Sequence, residues 1–211
     1  MESRKANLEH ITKLDKRSVY PPSVDTYLLA DSIVNDIQFI RSLNPAIILE
    51  VGVGCGAVLA SVGINLGEAY YLGVDINPKS AELAKTTLEI NNVQISEFIA
   101  IDIFKGMNLS NKVDVIVCNP PYVATSAEEY QECQARMDIS SSFSGGVDGR
   151  EFIDKLLELA SDYLSEKGVM YMICEIHNGY IDGTKVSEER KGCEGVMVLK
   201  RTKFSEIRRI N

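Results

Sequence analysis

The sequence predicts an α/β fold with a mostly parallel, doubly wound sheet and an antiparallel closing strand. Three observations predict it. Short apolar runs end in glycine, asparagine or acidic residues, segments of helical period lie between them, and this alternation recurs along the chain. In order, residues 25–43 repeat apolar side chains at Tyr27, Leu28, Leu29, Ile33, Val34, Ile37 and Ile40, the spacing of one helix with Asp25 as its N-cap. Residues 46–51 (AIILEV) form a first strand buried on both faces, and residues 57–66 a helix. Residues 70–74 make the second strand. Asn77-Pro78 caps and opens a helix to about residue 90, with proline at its favoured first position. Residues 97–101 and 113–118 are strands three and four. Asp148 with Glu151 reads as a capping box for a helix over 149–164, followed by strand five at 169–174. Beyond Glu175 a short helix is expected within 180–191, then a closing strand pair at 195–200 and 204–210.

Composition sets the bounds. A chain of 211 residues with 45% hydrophobic content buries one sizeable core, so residues 20–211 are expected to form one domain preceded by an aperiodic N-terminal arm at 1–19. The net charge of -8 argues against a stand-alone nucleic-acid binder, which carries a basic face. No apolar run is long enough to span a bilayer, and residues near Met1 do not resemble a secretory leader. The expected location is the cytoplasm, with the nucleus open. Five cysteines without a C-x-x-C pair give neither a disulfide framework nor zinc spacing, and His10 and His177 stand far apart, so no metal is assigned. Cys118 reads as core. The basic residues Lys200, Arg201, Lys203, Arg208 and Arg209 read as a solvated strand surface.

The chemistry-bearing residues stand at successive strand ends. Glu50-Val51-Gly52-Val53-Gly54-Cys55-Gly56 is a G-x-G-x-G turn that suits close backbone approach to a ligand. Position 57 is Ala and no Lys-Ser/Thr follows, so an uncharged tail fits better than a pyrophosphate. Asp75, at the end of strand two, stands where a carboxylate accepts from ribose hydroxyls. Asp102, after strand three, can accept from an exocyclic amine such as that of adenine.

The strongest signal is Asn119-Pro120-Pro121-Tyr122 after strand four. Its prolines fix φ, so the loop offers a rigid Pro120 carbonyl beside the Asn119 side-chain oxygen, with Tyr122 as an aromatic face. Two acceptors suit one -NH₂ on an sp² carbon. Holding both hydrogens localises the nitrogen lone pair toward an activated methyl group, and no general base is needed for attack. The loop alone leaves a glutamine amide and an exocyclic base amine equally open. Gly145-Gly146, which follows it, reads as a mobile loop closing over the acceptor or as a helix entry.

Taken together, Tyr20-Pro21-Pro22-Ser23-Val24-Asp25-Thr26, Glu50 to Gly56, Asp75-Ile76-Asn77-Pro78, Asn119 to Val123 and Gly145-Gly146-Val147-Asp148-Gly149-Arg150-Glu151 resemble the HemK-like glutamine methyltransferases. They look most like the short eukaryotic and archaeal branch that acts on the class 1 translation termination factor. The resemblance runs from about residue 20 to 200. It implies a Rossmann-like class I methyltransferase fold, S-adenosylmethionine as cofactor, S-adenosylhomocysteine as product, and the glutamine of a Gly-Gly-Gln motif as acceptor. Residue by residue, it places Thr26, Glu50, Gly52, Gly54, Asp75, Asp102, Ile103 and Asn119 at the cofactor. Asn119, Pro120, Pro121 and Tyr122 fall at the acceptor, with Asn119, Pro120 and Tyr122 as catalytic residues. It further implies a heterodimer with a small zinc-binding activator subunit docked on an edge of the sheet. Strand three lies at an edge, and its run from Phe98 to Ile101 continues apolar through Ile103-Phe104, as an edge covered either by a partner or by the protein's own helices does. Neither membrane nor direct nucleic-acid contact is expected. Val53 and Cys55 depart from the small polar residues common in relatives, and the segment from Tyr180 onward matches poorly.

Overall fold

The computed structural model describes residues 4–103, 105–136, 139–175, 185–189 and 194–201. Helices α1 (Val24–Asn35) and α2 (Ile37–Ser42) lead into strand β1 (Ile47–Val51). There follow α3 (Ala57–Leu66), β2 (Tyr70–Asp75), α4 (Pro78–Ile90), β3 (Ser96–Ala100) and β4 (Val113–Cys118). Helices α5 (Ala127–Arg136) and α6 (Glu151–Tyr163) precede β5 (Leu164–Glu175), β6 (Lys185–Glu189) and β7 (Glu194–Lys200).

The seven strands form one sheet in the order β3-β2-β1-β4-β5-β7-β6. The first five are mutually parallel, β7 runs antiparallel to β5, and β6 antiparallel to β7. Chain progress reverses between β1 and β4, which opens a crevice at their carboxyl ends, the place where ligands bind in such sheets.

Side-chain alternation explains why the strands read as continuous apolar runs. Along β5, Val169, Tyr171 and Ile173 enter the core layer shared with α1 and α3, while Met170, Met172 and Cys174 enter the layer under α6. Along β4, Val115 and Val117 take the first layer and Ile116 and Cys118 the second. Successive side chains point to opposite faces and both faces are covered, so residues 115–118 of β4 and 169–174 of β5 are apolar without alternation. One buried charge pins the opposite end of the sheet. Asp114 accepts from Ala46 N (2.6 Å) and Ser165 Oγ (2.6 Å).

Several elements differ from the sequence expectation. The helix over 25–43 is two helices, broken at Asp36, whose carboxylate accepts from the buried Tyr171 hydroxyl (3.1 Å). Both pieces keep the apolar stripe, so periodicity does not reveal the break. Ser23, not Asp25, is the N-cap of α1 and forms a capping box with Thr26. Asp148 and Glu151 form no capping box: Asp148 adopts φ 58°, and α6 begins after Arg150 without a side-chain cap. Residues 185–189 are strand β6 rather than part of a helix, because pairing with β7 outweighs local preference in so short a segment. Residues 180–184, 190–191 and 204–210, over which the remainder of that helix and the second closing strand were expected, lie outside the described residues.

Helix α5 had no counterpart in the expectation, since only Cys133 of its ten residues is buried and no apolar stripe marks it. The N-terminal arm is laid against the body. Asn7 pairs with Asn91, His10 Nε2 meets Thr87 Oγ1 at 2.9 Å, and Leu8 and Ile11 pack on Val19, Cys55 and Ala57.

Candidate active site

The crevice begins at the turn after β1. Gly52 and Gly54 adopt positive φ (72° and 51°), and a Cβ on Gly52 would meet nothing within 4 Å. Backbone shape alone therefore demands glycine there, and the turn leaves open space above it. Gly56 answers a different need: a Cβ would stand 2.9 Å from Ala84 Cα, so its absence lets α3 start against α4.

Asp75 ties this turn to the next one. Its Oδ2 accepts from Gly54 N and its Oδ1 from Asn77 N, both at 2.9 Å. Asn77 caps α4 as predicted, accepting from Lys79 N at 3.0 Å, and leaves Asp75 free of that task. Burial raises the Asp75 carboxyl above its usual range, and the backbone donors only partly offset it.

Glu50 lies at 2% exposure on β1, its Oε2 accepting from Leu59 N at 3.0 Å. Burial pushes its carboxyl well above 4.5, and the charge of Asp75 adds to the shift. Because the folded form holds this proton more tightly than the unfolded chain, its contribution to stability is full below about 4.5 and is lost as pH rises through the folded value. Glu50→Gln is expected to flatten the fall of melting temperature as pH rises above about 4.5, and an unaltered profile would remove Glu50 as its source.

After β3, Asp102 is half-exposed and paired with Lys155 Nζ of α6 at 3.5 Å. Ile103, buried and β-branched, is held at φ 47°, a conformation that costs such a residue on the order of 1–3 kcal/mol. Its side chain packs in the layer under α6, which supplies the over-determination that strain requires.

The Asn119 to Tyr122 loop leaves β4 beside β1, where Val51 and Cys118 are register partners. Asn119 Nδ2 donates to Asp25 Oδ2 (3.1 Å), and the Tyr122 hydroxyl donates to the same oxygen (3.2 Å). Asp25 is 4% exposed, and its other oxygen accepts from Thr26 N at 2.7 Å. Asn119 Oδ1 is buried and accepts no hydrogen bond.

A second segment braces this loop. Val123 N donates to Phe143 O (3.0 Å), Gly145 N to Val123 O (2.8 Å) and Thr125 N to Gly146 O (2.9 Å). The Thr125 and Ser144 hydroxyls meet at 2.9 Å. The Gly145-Gly146 segment is thus a strap bonded to the loop after β4. Its pairing partner, distant in the chain, is what the sequence does not display. A Cβ on Gly145 would lie 2.7 Å from Pro121 O and 2.8 Å from Gly149 Cα, both backbone. Gly145→Ala is expected to destabilise the fold by about 1–3 kcal/mol, the usual cost of overpacking. It should also lower kcat through displacement of the acceptor loop, with cofactor affinity retained. Wild-type kcat in a variant verified by its crystal structure would dissociate the strap from the loop.

All the residues singled out from sequence, Thr26, Glu50, Gly52, Gly54, Asp75, Asp102, Ile103, Asn119, Pro120, Pro121 and Tyr122, line one cavity of about 280 Å³. Sequence reasoning missed several other members. Asp25 is the chief of these. It stands three and four residues before the buried Leu28 and Leu29, and a carboxylate in register with an apolar stripe was the available signal. Ile76, 61% exposed beside Asp75, lines the same cavity, as do Tyr130, Phe143 and Lys155. Tyr130 comes from α5, which carried no sequence signal.

Residues 28–141 match the family model of the methyltransferase small domain. The chain is 34% identical to methyltransferase HEMK2 of Homo sapiens over 91% of this chain and 87% of that protein. The chain belongs to the HemK-like methyltransferases. A second HemK-like relative, the eRF1 methyltransferase catalytic subunit of Schizosaccharomyces pombe, is 31% identical over 77% of this chain and 74% of that protein. The fold is shared more widely: the T. thermophilus 16S rRNA methyltransferase RsmC, solved with AdoMet and guanosine, superposes with a TM-score of 0.61. It is 14% identical over 86% of this chain and 44% of that one.

The lining of this HemK-like cavity fits S-adenosylmethionine. A glycine turn with no side chains over it leaves room for a tail, Asp75 and Asp102 on the cavity wall are carboxylates able to accept from hydroxyl and amine donors, and buried Glu50 suits a cationic end. Ile76 and Ile103 offer apolar surface for a flat ring. Among the described residues no group of three or more His, Cys, Asp or Glu side chains is arranged to hold a metal, and no helix is long and apolar enough to cross a membrane.

Proposed function

We propose that this chain is the catalytic subunit of an enzyme that moves a methyl group from S-adenosylmethionine to the side-chain amide nitrogen of a glutamine, the one in the Gly-Gly-Gln motif of the class 1 translation termination factor. The observation that carries the chemistry is the buried, unpartnered Oδ1 of Asn119 at the wall of the cavity. The choice of acceptor is supported by the names of the relatives, one of them an eRF1 methyltransferase catalytic subunit.

The bound cofactor supplies an electrophilic methyl carbon whose bonding pair departs to sulfur. Thr26, Glu50, Gly52, Gly54, Asp75, Asp102 and Ile103 hold it, with the carboxylates as acceptors, and Asn119 lines the wall beside it. Asn119 Oδ1 and the Pro120 carbonyl accept the two hydrogens of the glutamine amide, and Pro121 keeps that carbonyl rigid. Tyr122 lies against the amide plane. Polarising both N–H bonds returns the lone pair to nitrogen as the N–C bond forms, and it stabilises the positive charge that nitrogen gains. One proton then leaves nitrogen for water. An opposite charge reverses the effect of burial, so a cationic cofactor would lower the Glu50 carboxyl from its raised value. Cofactor binding is therefore expected to release a proton, measured by calorimetry in buffers of differing ionisation enthalpy. A buffer-independent heat would exclude that linkage.

The same proposal includes a zinc-binding activator subunit at β3 and action in the cytoplasm. Strand β3 is the edge of the sheet, its Phe98 and Ile99 are only partly buried and Ile95 before it is 55% exposed. An incompletely covered apolar edge suits a second chain. Phe104, also expected at this edge, lies outside the described residues.

A labelled-methyl assay with the termination factor, its glutamine-to-alanine variant and duplex and single-stranded nucleic acid, with and without the activator, tests the reading. Label should enter the factor alone and vanish with its glutamine. Transfer only to nucleic acid would overturn the assignment.

A further inference from the structure

The structure points to a residue whose task lies outside cofactor contact and outside the Asn-Pro-Pro-Tyr loop. We propose that Asp25 is the positioning residue of the acceptor site. It dictates which end of the Asn119 amide faces the substrate nitrogen. This inference rests on the amide-methylation reading.

An asparagine side chain presents an oxygen one way and an -NH₂ the other, and the two ends are almost equal in shape. Only the oxygen end can receive an acceptor amide that has nothing but hydrogens to offer. A carboxylate accepts and never donates while ionised, so Asp25 Oδ2 can be faced by Nδ2 of Asn119 and not by Oδ1. The contact at 3.1 Å thus turns Oδ1 away from Asp25 and leaves it without a partner, although buried. A second donor, the Tyr122 hydroxyl, reaches the same Oδ2 at 3.2 Å, so both polar side chains of the loop are oriented by one oxygen. The remaining oxygen is fixed by Thr26 N at 2.7 Å and lies 3.4 Å from Thr26 Oγ1. Among the described residues no Lys, Arg or His nitrogen comes within ion-pair distance of Asp25.

This arrangement makes Asp25→Asn diagnostic. Thr26 N still requires an acceptor, so the new amide places its oxygen where Oδ1 was and its -NH₂ where Oδ2 was. The group facing Asn119 becomes a donor. Asn119 then turns its oxygen inward and its -NH₂ toward the acceptor nitrogen, which has only donors to meet it. Volume, helix cap and cofactor contacts are preserved, and the polarity of the acceptor site is inverted.

The experiment is steady-state methyl transfer to the termination factor, in the presence of the activator, by wild type, Asp25→Asn, Asn119→Ala and the double variant. Cofactor dissociation constants are measured alongside. Asp25→Asn should lower kcat by about a hundredfold or more, the scale on which removal of one preorganised polar contact acts. KM for the factor and the cofactor dissociation constant should stay within about threefold, and the double variant should be no worse than Asn119→Ala, since residues acting as a unit are non-additive. A kcat for Asp25→Asn within about threefold of wild type, or losses that multiply in the double variant, would overturn the proposal.

A second readout needs no variant and no substrate. In the wild-type protein the Asn119 side-chain ¹⁵NH₂ hydrogens should exchange slowly with water, held by Asp25, and rapid exchange would overturn the proposal as well. Wild type inactive on the termination factor but with protected Asn119 hydrogens would count against the amide-methylation reading and leave the orientation of Asn119 by Asp25 standing.

Discussion

Replacing Asn119 by alanine is expected to lower methyl transfer by about a thousandfold while cofactor affinity changes little, the scale of losing a preorganised hydrogen-bond partner of the transition state. The reason is in the geometry. Oδ1 is a buried acceptor that spends no hydrogen bond on the protein, so the folded state loses only the Nδ2 bond to Asp25, while the acceptor nitrogen loses its partner. Asp25 loses one donor in this variant and keeps Tyr122, so the loop should remain in place. Single-turnover transfer together with calorimetric cofactor binding separates the two effects. Turnover equal to wild type would remove Asn119 from the acceptor site.

Asp75→Ala should act on the other half of the cavity, weakening cofactor binding by about a hundredfold or more. Two losses combine. The ribose acceptor disappears, and Gly54 N and Asn77 N are left without their partner, so the glycine turn and the start of α4 are no longer tied together. Losing these two bonds unfastens the turn that receives the cofactor, and ~2.7 kcal/mol of lost binding energy is a hundredfold in affinity. Asp75→Asn keeps one acceptor and should fall between the two. An unchanged dissociation constant in Asp75→Ala would place the ribose elsewhere. The contrast with Asn119 is itself informative, because one variant should lose chemistry with binding intact and the other should lose binding first.

Legibility in the sequence followed the range of the interactions. Strands β1, β2 and β4 and helices α3 and α4 could be placed to within a residue or so, because each is announced by its own period or by a cap a few positions away. Asn77 illustrates this: its capping bond spans two residues. Elements held by distant partners were misread. Strand β6 owes its conformation to β7, the break at Asp36 answers to Tyr171, and α5 shows no apolar stripe. The strap at Gly145-Gly146 is held by residues some twenty positions earlier, and nothing within the strap itself declares that pairing.

The sequence by itself determined the sheet's parallel core, the glycine turn, the acids at the strand ends and the rigid Asn119 to Tyr122 loop, since strand-end position and residue chemistry suffice for these. Tertiary structure alone decided how the loop is aimed. Asp25 looked like a helix cap in sequence, yet it lies against residues nearly a hundred positions away, where its carboxylate sets the polarity of Asn119. A hydrogen bond between side chains brought together only by folding leaves no local period or spacing, so that orientation is carried by the packed chain and not by any stretch of it.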